Sequence, residues 1–425
     1  MPLARAIRRW DLVALAINAI IGAGIFGLPS EVFRRIGVFS LLAFVACAVV
    51  VILIILCFAE VGSRFTETGG PYLYAREAFG AIAGFEVGWL IWVARVTAFA
   101  ANSNLLVDYL AFFWPQAASG AGRVVTLSTV ALVLTAVNLT GVRNAANLTN
   151  LFTIAKLLPL FCFIGVGVFA LDPSRFSAGA APGVREFSVS VLLLVYAYSG
   201  FEMAAIPGGE STNPRRDLPR ALLIAILTVA ALYLLIQVVA IGTLPDLATS
   251  SRPLADAGVR FLGPLGGVLI SAGALVSIAG NLHVILLVAS RLPFAMAERG
   301  ELPPALAAIH PRFQTPHLAV LLTGMTVLAL ALTGSFVYAA SISVIARLLS
   351  YSATAAALPV LRRKRGVPPA EFRVPGGPFI ALATLVLAAW LLSNTTARQA
   401  RDTAIAATLG LLLYVLSRAR RKGTG

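Results

Sequence analysis

Apolar runs of membrane length follow one another along almost the whole chain, and nothing else in the sequence restricts the fold as much. Twelve runs stand at 10–36, 38–61, 81–113, 124–139, 148–171, 189–208, 218–244, 262–290, 318–332, 337–361, 379–394 and 403–417. A helix needs about 20 apolar residues to cross a hydrocarbon core about 30 Å thick. A barrel strand needs only about 10, in strict alternation. These runs are continuous and longer than a strand requires, so each is expected to be a transmembrane helix. Composition points the same way. Charged residues are 12% of the 425, and mean hydropathy is +0.89. A soluble domain carries about 25% charged residues. So little charge cannot cover a water-facing surface. The expected fold class is an all-α integral membrane protein.

A net charge of +15 raises nucleic acid as a partner, but the placement of the charges suits a membrane topology better. With the N-terminus inside, 21 of the 33 Lys and Arg residues fall in inner loops and 9 in outer loops. Arg95, Lys156 and Arg347 lie within spans. Positive loops face the cytoplasm, so both termini are expected there, in a multi-pass cell (inner) membrane protein. Arg34 and Arg35 are local exceptions. The expected partner is the lipid bilayer, not nucleic acid, and no feature specifies an oligomeric state. Cys47, Cys57 and Cys162 sit inside apolar runs, with neither disulfide nor metal spacing. No metal or cofactor is expected. The first run is too long for a signal peptide, and no cleavage site follows it.

Glycine interrupts two spans at matching places. The first reads Ile20-Ile21-Gly22-Ala23-Gly24-Ile25-Phe26-Gly27, and the sixth Tyr196-Ala197-Tyr198-Ser199-Gly200-Phe201-Glu202. Each opens a block of five spans, 10–171 and 189–361, and two additional helices follow at 379–417. Five is odd, so the second block enters from the opposite side. Two inverted five-span blocks with broken first helices are the pattern of secondary transporters.

A break within the bilayer leaves N–H and C=O groups unpaired, which is tolerated only where they line a cavity or bind something. The amides of Ala23, Gly24 and Ile25 would head a half-helix and suit a carboxylate. The carbonyls near Ile20, Ile21 and Ser199 would end half-helices and suit an ammonium. A carboxylate and an ammonium a short distance apart describe an α-amino acid. The bland alternative is that the glycines only let helices pack closely. Residues 22–27 also spell G-x-G-x-x-G. A dinucleotide fingerprint needs a preceding strand and an acid about 20 residues on, and residues 44–51 are wholly apolar.

Four groups of residues carry a family resemblance. They are Gly22-Ala23-Gly24-Ile25-Phe26; Tyr198-Ser199-Gly200-Phe201-Glu202 with Glu210, Asn213-Pro214-Arg215 and Pro219-Arg220-Ala221; Ser290-Arg291, Ala295-Met296-Ala297, Gly300-Glu301-Leu302-Pro303 and Thr315-Pro316; and Arg362-Arg363 with Phe372-Arg373-Val374-Pro375-Gly376-Gly377-Pro378. In this order the chain resembles the amino acid–polyamine–organocation (APC) superfamily of transporters, and within it the bacterial amino acid permeases. The resemblance implies a leucine-transporter-like fold of twelve helices, a 5+5 inverted repeat with helices one and six broken. It implies a substrate carboxylate on the first-span amides, with Ile21 and Gly22 among the binding residues. It places the amine on carbonyls of Ile20, Tyr196 and Ser199, with the Tyr196 ring capping the site from outside. The third span would line the side-chain pocket with Ala94, Ala98 and Phe99, an apolar wall without an anion for a cationic side chain.

Ionisable residues inside a membrane are functional candidates by default. Lys156 lies deep in the fifth span, where similar family members carry a lysine in place of a bound sodium ion. Its ammonium is expected to tie the fifth helix to the first and eighth, with Ser277 as partner and Asn281 as the alternative. Glu202 follows Gly200 as a helix N-terminal acid, with proton carriage the reading the resemblance suggests. Arg95 is a candidate partner of Glu86, Arg347 a brace of the second block, and His283 an interior histidine. Glu60, Arg64 and Glu67 form a solvated or gate-like cluster at the inner surface.

The function expected is secondary transport of neutral L-amino acids, sodium-independent, by proton symport or exchange. One alternative is a polyamine or cationic amino acid transporter, which needs an acidic pocket. Another is a sensor of the same fold that binds without transporting. The sequence holds no H-E-x-x-H, no G-x-S-x-G and no pair of intramembrane aspartates, so no enzyme is expected.

Overall fold

A computed structural model describes residues 8–66, 69–140, 145–205 and 212–422. Arg5, Glu67, Arg143, Glu210 and the end of the sixth run, 206–208, lie outside the described residues. Among the described residues the regular elements are all helical. They are α1 (Arg9–Ile20), α2 (Gly24–Ile36), α3 (Ser40–Gly62), α4 (Gly70–Phe79), α5 (Ala81–Leu110), α6 (Gly120–Thr140) and α7 (Ala145–Gly167), then α8 (Val184–Tyr198), α9 (Pro214–Thr243), α10 (Pro253–Glu298), α11 (His317–Thr333), α12 (Phe336–Arg363), α13 (Gly377–Ser393) and α14 (Ala397–Lys422), with short 3₁₀ turns between some of them.

Helix length separates whole spans from half spans. Among the described residues seven segments are long and apolar enough to cross a bilayer, and Lys156–Ala170, His317–Thr333 and Gly377–Ser393 are shorter apolar helices. α1 has 12 residues, α2 13 and α8 15. At about 1.5 Å per residue each is roughly 18–22 Å long, short of a core about 30 Å thick. α1 and α2 can therefore cross only as a pair, interrupted at Ile21–Ala23. α8 ends at Tyr198 and the chain resumes as a 3₁₀ turn at Phe201–Ala205. Gly200 between them has φ +117°, and a Cβ there would run into the Ala19 carbonyl oxygen. Only glycine lets the two breaks approach so closely.

The exterior is apolar and the interior holds charge. Val125, Leu132 and Val133 on α6, Phe379 and Leu382 on α13, and Leu412, Val415 and Leu416 on α14 are exposed, whereas Glu60, Arg95, Lys156, Glu202 and Arg347 are buried. In water so much exposed apolar surface would drive association; in lipid it is the solvated face. Inside, α5 packs on α12 and α10 on α7, α3 on α8 and α1 on α9, and α5 on α11 and α10 on α6. α5 also meets α10, α3 meets α9 and α6 meets α11. α13 packs on α3 and α12, and α14 on α5 and α12.

Two features depart from expectation. α4 belongs to none of the apolar runs. Its Tyr72 hydroxyl donates to Glu301 Oε2 at 3.1 Å and accepts from Arg76 and Arg299 at 2.9 Å each, tying α4 to the turn after α10. Glu60 is not a solvated residue but 0% exposed. Arg362 grips its carboxylate at 2.6 and 2.7 Å, the Val374 N–H donates at 2.8 Å, and Arg64 stands 3.6 Å away. This is a buried tie between the ends of α3 and α12 and the strap before α13.

Candidate functional site

A cavity of about 280 Å³ lies between the two helix breaks, near the small end of ligand pockets at about 300–1,000 Å³. Ile20, Gly22, Ala23 and Gly24 line it from the first break, and Tyr196, Ser199 and Gly200 from the second. Ala23 and Gly24 open α2, where the first amides of a helix have no intrahelical acceptor and carry positive partial charge. Arg95, Ala98 and Asn102 of α5, Ser277 and Asn281 of α10, Lys156 of α7 and Arg347 of α12 complete the wall. Leu15 and Asn18 of α1 with Val284 and Leu287 of α10 extend it toward the N-terminal end of α1.

The opposite end is shut. The Tyr196 hydroxyl donates to Asn102 Oδ1 and stands 3.2 Å from the Ala98 carbonyl, and its ring meets Phe336 edge-on at 6.2 Å. Asn102 Nδ2 donates to Asn281 Oδ1 at 2.8 Å. α2 lies so close to α8 that a Cβ on Gly24 would stand 2.7 Å from Ala197 Cα. Gly24 thus packs closely against α8 while also lining the cavity. A Cβ on Gly22, by contrast, would meet the Asn281 side chain in the cavity wall at 3.3 Å.

The carbonyls at the breaks already have donors. Lys156 Nζ donates to Asn18 O at 2.5 Å and to Ile21 O at 2.9 Å. The Tyr233 hydroxyl, buried on α9, lies 3.1 Å from Ile20 O and 3.2 Å from Ala197 O, so it bridges both breaks. Ser199 Oγ donates to Tyr196 O at 2.8 Å. Ile20 O also accepts from the Gly22 N–H at 2.8 Å and Tyr196 O from the Ser199 N–H at 3.4 Å, so each carbonyl already has two donors for its two lone pairs.

Several candidate residues sit elsewhere than expected. Ala94 and Phe99 do not line the cavity. The Ala94 carbonyl accepts from Ser343 Oγ at 2.7 Å, and Phe99 is 0% exposed in the core. The face of α5 turned to the cavity carries Arg95, Ala98 and Asn102, three and four residues apart, as neighbours on one helix face must be. Ile25 is fully buried in the core, and Ile21 contributes its carbonyl to Lys156 rather than a side chain to the wall. Ser277 is not the partner of Lys156: its hydroxyl is buried without a hydrogen bond, because the ammonium turns to the open carbonyls of α1 instead. Asn281 pairs with Asn102.

Arg95 does not pair with Glu86. Its Nη2 meets the Met203 sulfur, and both Glu86 carboxylate oxygens are buried without a hydrogen bond. Nine residues along one helix place the two on different faces. Glu202 accepts from the Gly200 N–H at 2.9 Å and the Tyr351 hydroxyl at 2.8 Å, and forms an ion pair with Arg347 behind the cavity wall. Arg347 thus joins α12 to the second break, both within the second block. Asn102 and Tyr233 were not anticipated. A signal for Asn102 existed, since it lies two helical turns from Arg95 on the same face. Tyr233 stands alone in an apolar run, and nothing in the sequence places it.

Comparison with known proteins gives this geometry a family. A family model described as amino acid permease matches residues 7–415. The chain is 30% identical to the serine/threonine exchanger of Bacillus subtilis (strain 168), over 94% of this chain and 93% of that one. It is 27% identical to the methylthioribose transporter of the same organism, over 97% and 93%. It is 26% identical to that organism's branched-chain amino acid permease, again over 97% and 93%. Broken helices around a cavity of amino-acid size and a match over nearly the whole length agree: the chain belongs to the amino acid permease family of the APC superfamily, whose members are membrane transporters rather than enzymes.

Proposed function

We propose that this permease is a sodium-independent secondary transporter of α-amino acids that carry no positive side chain, neutral ones included, working by proton symport or exchange. One observation carries the reading. The amino-terminal amides of α2 and the carbonyl ends of α1 and α8 face one another across a single cavity, and the Lys156 ammonium donates to the carbonyls of Asn18 and Ile21. The expectation of a neutral side chain rested on Ala94, Ala98 and Phe99, of which only Ala98 lines the cavity. What speaks against polyamines and cationic amino acids is electrostatic: among the described residues the wall carries Arg95, Lys156 and Arg347 and no carboxylate.

The architecture we propose is twelve spans in a 5+5 inverted repeat, with α13 and α14 added outside. Paired contacts support it. Aligning the blocks makes α5 the counterpart of α10 and α12 the counterpart of α7, and both α5–α12 and α10–α7 are packed. The same exchange relates α3–α8 to α1–α9, and α5–α11 to α10–α6. α5–α10, α3–α9 and α6–α11 map onto themselves. A cavity open toward the N-terminal end of α1 and shut at Tyr196 is then one of two alternating states.

The test of function is uptake of labelled amino acids into proteoliposomes under imposed proton, sodium or internal-substrate gradients. We expect accumulation driven by a proton gradient or by internal amino acid. Uptake that requires a sodium gradient, or binding of amino acids without flux, would refute the reading. The distribution of loop cations supports a further part of the proposal, that both termini lie in the cytoplasm of a cell-membrane protein. Single cysteines at the exposed positions Gly366 and Ser251, in a background lacking Cys47, Cys57 and Cys162, are expected to react with an impermeant maleimide from opposite sides. Labelling of both from the same side sinks the topology.

A further inference from the structure

Among the described residues Arg95 is a poorly satisfied charge of the cavity wall. It is 3% exposed, lines the cavity, and its Nε is buried with no hydrogen-bond partner. Its Nη2 meets the Met203 thioether, among the weakest acceptors a protein offers. The groups that face it from the neighbouring elements are Arg347 and Tyr351 of α12 and Glu202 of the second break. Glu202 is the one carboxylate among them. It is committed to Arg347, to Tyr351 and to the Gly200 N–H, and it lies behind the wall rather than on it. Lys156 is likewise committed to two carbonyls.

A planar guanidinium held in a low-dielectric wall has one well-matched partner, a carboxylate that accepts two parallel N–H bonds. Among the described residues no carboxylate bonds it in this way, and the cavity opens directly beside the guanidinium. The α-carboxylate of an amino acid does not meet this need, because the amides of Ala23 and Gly24 at the head of α2 already provide for it. Arg95 stands one helical turn from Ala98 and two from Asn102, which closes the Tyr196 end. It is therefore set toward the N-terminal side of the cavity, away from the closed end. A ligand that satisfies both places has two carboxylates with an ammonium between them.

We infer that the cavity is built for an acidic amino acid, glutamate or aspartate, whose side-chain carboxylate pairs with Arg95. This rests on the amino acid transport reading and narrows it. Asn102 and Asn281, already bonded to each other, then close the wall and do not choose the side chain. Arg95 is the residue that sets specificity, and Arg347, also in the wall, adds positive potential.

Uptake of labelled glutamate, aspartate, glutamine, leucine, serine and arginine, each measured separately in proteoliposomes preloaded with an unlabelled mixture, tests the inference. Wild-type protein is expected to favour glutamate over glutamine by about tenfold or more, the discrimination a charge-assisted pair provides. Arg95→Gln is expected to bring that ratio to about one or invert it, and Arg95→Lys to keep its direction. The wild-type panel decides the matter even where a variant fails to fold. Glutamine, leucine or serine taken up in preference to both acids overturns the inference and leaves the transport reading standing. So does an Arg95→Gln protein that keeps the wild-type ratio. No uptake or exchange of any amino acid by a monodisperse preparation removes both.

Discussion

Replacing Glu202 with glutamine is expected to destabilise the protein strongly. The carboxylate pairs with Arg347, accepts from Tyr351, and holds the Gly200 N–H at the second helix break. Glutamine fills the same space and still offers an oxygen to Gly200. It cannot neutralise Arg347 or the nearby Arg95, so two guanidinium groups would remain in the core without an anion. Breaking a buried ion pair by removing one partner costs about 3–5 kcal/mol, because a charge is left uncompensated. The apparent melting temperature of the detergent-solubilised protein should fall steeply, and amino acid uptake with it. The double change Glu202→Gln with Arg347→Met should recover much of that stability, since removing both partners of a buried pair costs far less than removing one. A single Glu202→Gln protein as stable and active as wild type would show that the pair carries no weight. Glu202 acting as a mobile proton carrier predicts something else: near-native stability, with loss of proton-driven uptake alone.

The expected runs and the observed helices agree because the bilayer imposes one rule throughout. Backbone groups in hydrocarbon must be paired within the segment, so length and hydropathy suffice to place α3, α6, α9 or α12. Even the start of the eighth span near Leu262 has a visible cause: Gly263, at φ +66°, separates Pro253–Leu262 from the rest of α10. The breaks were legible for a different reason, since Gly24 and Gly200 stand where a Cβ would strike the backbone of a neighbouring helix. α4 was not legible, because a ten-residue helix held by Tyr72, Arg76 and Glu301 gives no apolar run. The rotation of α5 escaped for a physical reason. From Phe85 to Tyr109 nearly every residue of α5 is buried, and a helix apolar and buried on all sides has no hydrophobic face from which to read its phase. Only Arg95 and Asn102 mark the cavity side. The Glu202–Arg347 pair joins positions 145 residues apart, a meeting that no local pattern encodes. Lys156 was found by its depth in the span, but its partners are backbone carbonyls of α1, which a sequence does not display.

Lys156→Ala is expected to abolish gradient-driven transport while leaving substrate binding within a few-fold of wild type. The ammonium donates to Asn18 O and Ile21 O, the carbonyls left open where α1 stops. It thereby ties α7 to the inner half of the broken helix, and it lines the cavity without being needed to hold an α-carboxylate or an α-ammonium. A positive charge in that cradle repels sodium, so wild-type uptake should be the same in sodium and in choline buffers. When α1 swings between states, the two carbonyls must leave the ammonium and return to it. A proton gained or lost by the amine switches that bond between strong and weak, and this is how a proton gradient can bias the swing. Alanine removes both bond and switch, so uptake driven by a pH gradient should fall by at least about tenfold. Arginine keeps the charge permanently, and its larger planar fork does not fit two carbonyls that a point-like ammonium satisfies; it should also block cycling. Binding measured by thermal shift with unlabelled substrate separates these outcomes from misfolding. A lysine that only braces the helices makes the contrary forecast, a lower melting temperature with the pH dependence of uptake intact. A fully active Lys156→Ala protein would eliminate the coupling role, because no other described cation reaches the carbonyls of α1.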